Sequence, residues 1–255
     1  MEVKIEVFTL CWNEMAILPF AVDYWARFAS HVTVYDNGSD DGSVEFLQQF
    51  PELITVHHFD TGGCKDNTAH MVMKNKMWKE ARGRADLVCV CDLDEFLIIR
   101  GNAAIRMVKA GGTICEPNWY ELVSETVPEY TEGRLLHQLR PCAAMPRRCE
   151  RMPLTSKAVL FDPNQIDEIN YGPGSHWCAP KGRVRWFGGD IYVLHVNNSL
   201  SLKYKLNRYR LQAARRSASD RHNGYGKHYT RSDGEILKDW KDSLNRAVNF
   251  CAIVE

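Results

Sequence analysis

The sequence predicts an α/β fold, a single domain built on a mostly parallel sheet flanked by helices. Two observations point there first. Strand and helix signals alternate through the first 100 residues, which implies parallel βαβ units. The candidate strands are short, apolar and partly β-branched, as strands covered on both faces must be. A third observation sets the scale: 255 residues, 45% hydrophobic and 25% charged, can bury a full core.

The elements follow in chain order. Lys4–Leu10 reads as a buried strand. Glu14–Phe28 has helical spacing through Ile17, Phe20, Ala21, Tyr24, Trp25 and Phe28, with Pro19 tolerable only near its first turn. His31–Tyr35 is a second strand, Asp36–Ser43 a turn cluster opening a helix over Val44–Phe50, and Leu53–His58 a third strand. Asn67–Arg82 reads as an amphipathic helix ended by Gly83, and Asp86–Val90 as another buried strand. Further on, Gly112–Cys115, Lys157–Phe161 and Ile191–Val196 are strand candidates among long polar stretches, and Glu129–Pro153 is irregular. Ser199–Arg216 is a basic helix without an acid, residues 220–234 read as a mobile loop, and Asp233–Phe250 is a final amphipathic helix. Gly224 and Gly226 around Tyr225 supply hinge freedom, so residues 217–234 are expected to close over a ligand.

Charge and cysteine usage exclude some classes. Lys plus Arg and Asp plus Glu are both 32, so the chain lacks the basic footprint of a general nucleic-acid binder. The balance is uneven: residues 1–130 carry net −9 and residues 131–255 carry +9. An acidic half facing a basic half suits a cation and an anion held together; two unrelated surfaces give the same arithmetic. No apolar run is long enough to span a bilayer, and the first residues lack the basic start of a signal peptide. That leaves peripheral membrane contact open. Nine scattered cysteines without a CxxC pair argue against structural zinc and for reduced thiols in the cytoplasm.

The chemistry concentrates in two runs. Asp92-Leu93-Asp94-Glu95 follows a buried strand directly and precedes Phe96-Leu97-Ile98-Ile99. Adjacent carboxylates between buried segments repel one another unless a cation neutralises them, and oxygen ligands of this kind suit Mg²⁺ or Mn²⁺ bridging to phosphates. Asp36-Asn37-Gly38-Ser39-Asp40-Asp41-Gly42-Ser43 follows the second strand. Asp36 there can accept the N3–H of uracil or thymine, a proton cytosine lacks; the same residues also suit a tight turn and a helix cap. A calcium loop starting at Asn37 fits poorly, because its twelfth position is Gln48 and a strand precedes it.

With Cys11-Trp12-Asn13-Glu14-Met15-Ala16-Ile17-Leu18-Pro19-Phe20 before them, these runs stand in the order and spacing of a known pattern. The chain resembles the family-two-like glycosyltransferases of the GT-A fold, in the branch with an NE…LP start, a DNGSDDG turn and a DLDEFL metal motif. The motifs cover residues 1–100; beyond them the resemblance thins to Asn118-Trp119, Ser156-Lys157, Gly174-Ser175-His176 and Leu194-His195. It implies a Rossmann-like single domain, with residues 1–100 holding the nucleotide and 101–255 the acceptor and the C-terminal helices. It implies transfer of a sugar from a UDP- or dTDP-sugar to a saccharide hydroxyl, with Mn²⁺ or Mg²⁺, by inversion.

Carried over residue by residue, Leu10, Cys11, Asn13, Glu14, Asn37 and Leu93 line the nucleotide and Asp36 binds the base. Asp92 approaches the ribose or the metal, Asp94 ligates the metal, and His195 completes the site; imidazole favours Mn²⁺. Lys157, His176, Lys203, Lys205 and Arg208 are phosphate candidates. The residue that takes the acceptor proton is left open among Asp190, His176, Glu116 and Glu125, with Asp190 preferred for its flexible approach to a strand. Two rivals remain: a nucleotidyltransferase, although its Gly-rich basic loop is replaced by Leu10-Cys11-Trp12-Asn13-Glu14, and a non-catalytic carbohydrate-binding protein.

Overall fold

The computed structural model describes residues 2–139, 143–146, 157–196 and 200–254. Strands β1 (Ile5–Cys11), β2 (Ala29–Asp36), β3 (Ile54–His58) and β4 (Leu87–Asp92) form a parallel centre in the order β4-β1-β2-β3. Helices α1 (Leu18–Trp25), α2 (Ser43–Leu47) and α3 (Asn67–Lys76) make the crossovers. Every residue of β1 is buried, and its side chains alternate between two apolar layers: Val7 and Cys11 join one, Phe8 and Leu10 the other. This is the mostly parallel, helix-flanked α/β sheet read from the sequence.

The helices are shorter than their patterns. Pro19 lies in the first turn of α1, so Glu14–Ile17 form a turn ahead of the helix. Asp66 caps α3, accepting from the Ala69 N–H at 2.9 Å, and the last stretch to Ala81 tightens into a 3₁₀ turn before Gly83 at φ +77°.

Past β4 the chain changes sheets. Leu93 and Asp94 carry it into β5 (Glu95–Ile99), which the sequence reading did not separate from the acid run. Also unforeseen are α4 (Ala103–Lys109), only seven residues long, and β7 (Asn118–Val123), whose Asn118 and Glu121 break the apolar run. The first sheet is completed to seven strands by β6 (Ile114–Cys115), β9 (Leu160–Phe161) and β12 (Trp186–Phe187). The second sheet runs β14 (Val248–Asn249), β8 (Ala143–Pro146), β7, β13 (Ile191–His195), β5. Strands β10 (Ile166–Glu168) and β11 (Lys181–Gly182) pair separately. Of the region expected to be irregular, α5 (Leu136–Leu139) and β8 are described; Arg147–Pro153 lie outside the described residues, as do Ser156 and Ser199. Apolar side chains of both sheets, from Val7 to Val193 and Phe250, join one cluster.

The C-terminal part corrects the expected loop. After α6 (Leu202–Arg215) come α7 (Ala218–His222), a 3₁₀ turn over Lys227–Thr230 and α8 (Asp233–Asn245), then β14 and α9 (Cys251–Val254). Asp220 explains the order: it is fully buried and accepts from the Asn67 backbone N–H at 3.0 Å and from Asn67 Nδ2 at 2.5 Å. Arg216 closes the turn by donating to the Tyr225 and Asp220 carbonyls. A capping box of Ser232 and Glu235 starts α8. No helix among the described residues is long and apolar enough to cross a membrane. Cys11, Cys64, Cys89, Cys91, Cys115, Cys178 and Cys251 are free thiols.

Candidate active site

The order β4-β1-β2-β3 reverses direction between β1 and β4, and open α/β sheets bind ligands outside the carboxyl ends of the strands at that point. Leu10 of β1 stands in register with Asp92 of β4 there, and Cys11 with Asp36 of β2. A cleft of about 690 Å³ opens at this edge, lined by Leu10, Cys11, Trp12, Glu14, Asn37, Asp92, Leu93 and Asp94. Its far walls come from α3, the 173–176 turn, β7, β13, α6 and the segment 224–229.

The acid run divides its labour. Asp92 is not placed as a metal ligand: Lys74 donates to its Oδ1 at 2.5 Å and Lys157 to its Oδ2 at 3.0 Å. Burial alone would raise this carboxyl; the two ammonium groups outweigh it and hold the pKa well below the usual range. Lys157 also donates to Glu95, whose other oxygen accepts from the Asp92 N–H at 3.0 Å. Asp94 differs. It is 3% exposed, and its Oδ1 accepts no hydrogen bond among the described residues. His195 Nε2 lies 3.8 Å from that oxygen. One atom each from Asp94, Glu95 and His195 lies within 4.8 Å of the others, a spacing that a single cation can bridge.

Strand pairing builds this convergence. His195, the last residue of β13, pairs with Glu95 on one side and Glu121 on the other. Its Nδ1 is 2.8 Å from both carboxylate oxygens of Glu121. Burial disfavours the imidazolium, yet Glu121, Asp94 and Glu95 outweigh burial and raise its pKa. Arg208 of α6 donates to Glu14 and lies 3.8 Å from Asp94 Oδ2, tying the start of the chain to the acid run. Burial pushes the Glu14 carboxyl up to about 7 against the pull of Arg208.

The turn after β2 is taken up by itself. Asp36 is buried and accepts from the Gly38 and Ser39 N–H groups at 3.0 and 2.9 Å and from Ser39 Oγ at 2.5 Å. These bonds all run to its own turn, and Asp36 is not among the residues that line the cleft. Asn13, at φ +51°, likewise faces the turn, donating to Asp40 Oδ1 at 2.6 Å while its own oxygen accepts from the Asp40 N–H at 2.9 Å. Asn37 does line the cleft, with its amide oxygen accepting from Thr61 and its Nδ2 donating to the Cys64 carbonyl. Burial pushes the Cys11 thiol well up, so it is an unreactive wall group.

Among the described residues, six Lys and Arg side chains line the cleft: Lys65, Lys74, Lys157, Lys205, Arg208 and Arg215. Lys203 is exposed on the other side of α6 and is not part of the wall. Asp190 is also misplaced. It precedes β13, at the strand end opposite His195, and is held by Arg106 at 2.6 Å. Glu116 and Glu125 are exposed and do not line the cleft, whereas His176 does. Sequence reasoning missed Lys74, Glu121, Trp12 and Arg215. Lys74 is the buried position of α3, on the same helix face as Asn67, His70 and Met71, a spacing of three and four residues that marks one wall. Arg215 stacks 3.2 Å from the centre of the Trp12 ring.

No protein-family model matches the sequence, and no curated protein matches it. Among solved structures, TarS of S. aureus aligns over 95% of this chain and 43% of its own, at 12% identity and a TM-score of 0.45. TarS 1–349 in complex with UDP aligns over 83% of this chain and 65% of its own, at 12% identity and a TM-score of 0.46. Glucosyl-3-phosphoglycerate synthase from Mycobacterium tuberculosis, in complex with Mn²⁺, UDP and glucosyl-3-phosphoglycerate, aligns over 46% and 44% at 15% identity, with a TM-score of 0.30. The chain spans less than two thirds of each of these proteins, and likenesses this distant assign neither family nor activity.

Proposed function

We propose that the chain is a metal-dependent glycosyltransferase of the GT-A fold, moving a sugar from a UDP- or dTDP-sugar to a saccharide hydroxyl with inversion. One observation carries the reading. The buried Asp94 Oδ1, which accepts no hydrogen bond among the described residues, faces His195 Nε2 across 3.8 Å, at the switch point of the sheet, in a cleft edged by cations. A carboxylate oxygen and an imidazole nitrogen are donors for Mn²⁺ or Mg²⁺, the nitrogen favouring Mn²⁺, and such ions take few protein ligands plus substrate phosphates. When bound, the ion would act as a Lewis acid on the departing diphosphate.

The chain's own groups supply the rest. Lys65, Lys205 and Arg215 present positive charge to a diphosphate, and Leu10, Cys11, Trp12, Asn37 and Leu93 border the nucleoside. Lys74 and Lys157 neutralise Asp92 and keep it from competing for the ion. His176 is the remaining candidate for taking the acceptor proton. Residues 1–100 would border the nucleoside, while later residues would serve the acceptor side and also, through His195, Lys205 and Arg215, the metal and the diphosphate. The free thiols support a reducing, cytoplasmic setting.

The test is a donor screen for metal-dependent release of nucleoside diphosphate from a panel of sugar nucleotides. Release from a UDP- or dTDP-sugar is expected. Pyrophosphate release from a nucleoside triphosphate and a sugar phosphate would establish nucleotidyl transfer instead. No response to any nucleotide would overturn both enzymatic readings, as expected of a non-catalytic glycan-binding protein.

A further inference from the structure

We infer that Glu121 is a positioning residue, which fixes the tautomer and aim of His195 toward the cation. The inference rests on the metal-dependent reading above and adds a residue that neither the motifs nor the acid run contain.

The geometry begins with the strands. Parallel pairing of β7 with β13 sets Glu121 directly beside His195, and both carboxylate oxygens stand 2.8 Å from Nδ1. An ionised carboxylate only accepts, so Nδ1 carries the hydrogen; a cation binds the ring in its neutral form, and the lone pair of that form is then on Nε2. That nitrogen faces Asp94 Oδ1 at 3.8 Å, too far for a hydrogen bond. Two lone-pair atoms therefore face one another across a gap that suits a cation. With the opposite tautomer, Nε2–H would point into the same gap and repel it. Carboxylates behind metal-bound histidines act in this way, orienting the ring and raising its basicity.

A plainer role also suits the pair: an ion pair stapling β7 to β13, with no bearing on the ion. The two roles separate in a double-mutant cycle on the full chain. Mn²⁺ binding is measured by electron paramagnetic resonance of the free ion at saturating UDP. Glu121→Ala is expected to weaken Mn²⁺ about 10–100-fold. In the His195→Ala background the same change is expected to cost less than about twofold, because the residue acts through the ring. Glu121→Gln, whose amide oxygen still accepts from Nδ1–H, is expected to recover part of the affinity.

Unweakened binding in folded Glu121→Ala, or equal losses in both backgrounds, overturns the inference. A second measurement needs no variant: ¹⁵N chemical shifts of His195 in the wild-type protein, above the pKa of the ring, must report the Nδ1–H tautomer. The Nε2–H tautomer overturns the inference whatever the variants do. Wild-type protein that binds no Mn²⁺ with UDP overturns the metal reading itself, and so is told apart from failure of Glu121 alone.

Discussion

Lys157 Nζ stands 3.0 Å from Asp92 Oδ2, so an ammonium group is the counter-ion of the first acid in the Asp92-Leu93-Asp94-Glu95 run. Lys74 covers the other oxygen. The two lysines are 4% and 6% exposed at their side chains, against 36% for Asp92. The cluster is therefore neutralised from within at one end and left open at the other, where Asp94 meets His195.

Asp92→Ala and Asp94→Ala are expected to fail differently. Removing Asp92 strands Lys74 in a buried position and leaves Lys157 with Glu95 alone, at a cost of about 3 kcal/mol in urea unfolding. Removing Asp94 relieves like-charge repulsion, preserves or raises stability, and abolishes Mn²⁺-dependent UDP binding in calorimetry. Loss of Mn²⁺ binding in a stable, folded Asp92→Ala would return Asp92 to the ligand set.

Asp36 is expected to behave as a turn residue. Its carboxylate accepts three hydrogen bonds from Gly38 and Ser39. Asp36→Ala leaves those donors unpaired and costs about 1–3 kcal/mol. The UDP-to-CDP affinity ratio, read by calorimetry in a variant that still folds, is expected to stay as in the wild type. A ratio that collapses while stability holds would restore contact with the base.

These contrasts show what a linear chain conceals. The parallel centre was legible because β1 and β4 are buried on both faces and each is followed by its own glycine- or acid-bearing turn. The acid run was legible as a cluster; which acid faces which cation depends on Lys74 and Lys157, 18 and 65 residues away from Asp92. A lysine on an amphipathic helix reads as solvated until another element covers it. Glu121 carries no signal in the sequence, where no strand is read at 118–123, since only the β7–β13 register sets it beside His195. Residues 220–234 were read from their glycines and charges, while the buried Asp220 that holds them in place carries no local signal.

His70 gives a pH dependence with a defined sign. Burial, with Lys65 and Lys74 adding to it, lowers its pKa to about 4, below the unfolded value of 6.5. The folded state holds the ring neutral, so its contribution to stability is complete above pH 6.5 and is lost as pH falls toward 4. Glu14, raised to about 7, has the opposite sign, so total stability is the wrong readout. The difference in unfolding free energy between wild type and His70→Asn isolates the histidine. The variant is expected to gain on the wild type between pH 7 and pH 5; a difference independent of pH would mean that His70 is not held neutral.

The segment over the cleft supplies the last prediction. Gly224, Tyr225, Gly226, His228 and Tyr229 line the cleft, and Asp220 fastens their segment to the first residue of α3. Lys65 adds a hydrogen bond from Nζ to the Tyr229 hydroxyl at 2.8 Å. A segment held this way is expected to be docked before any donor arrives, as a preformed wall and not a lid that closes on binding. Asp220→Ala leaves a buried N–H without its acceptor, at about 2 kcal/mol, which raises the population of the open segment about 30-fold. Trypsin cleavage at Arg221, Lys227 and Arg231 is expected to be slow in the wild type without donor and to quicken in Asp220→Ala by about that factor. Donor hydrolysis without acceptor is expected to rise with it, because water then reaches the anomeric carbon. If trypsin cuts the donor-free wild type as fast as the variant, and slows only with Mn²⁺ and UDP-sugar, the segment is a closing lid and Asp220 does not hold it.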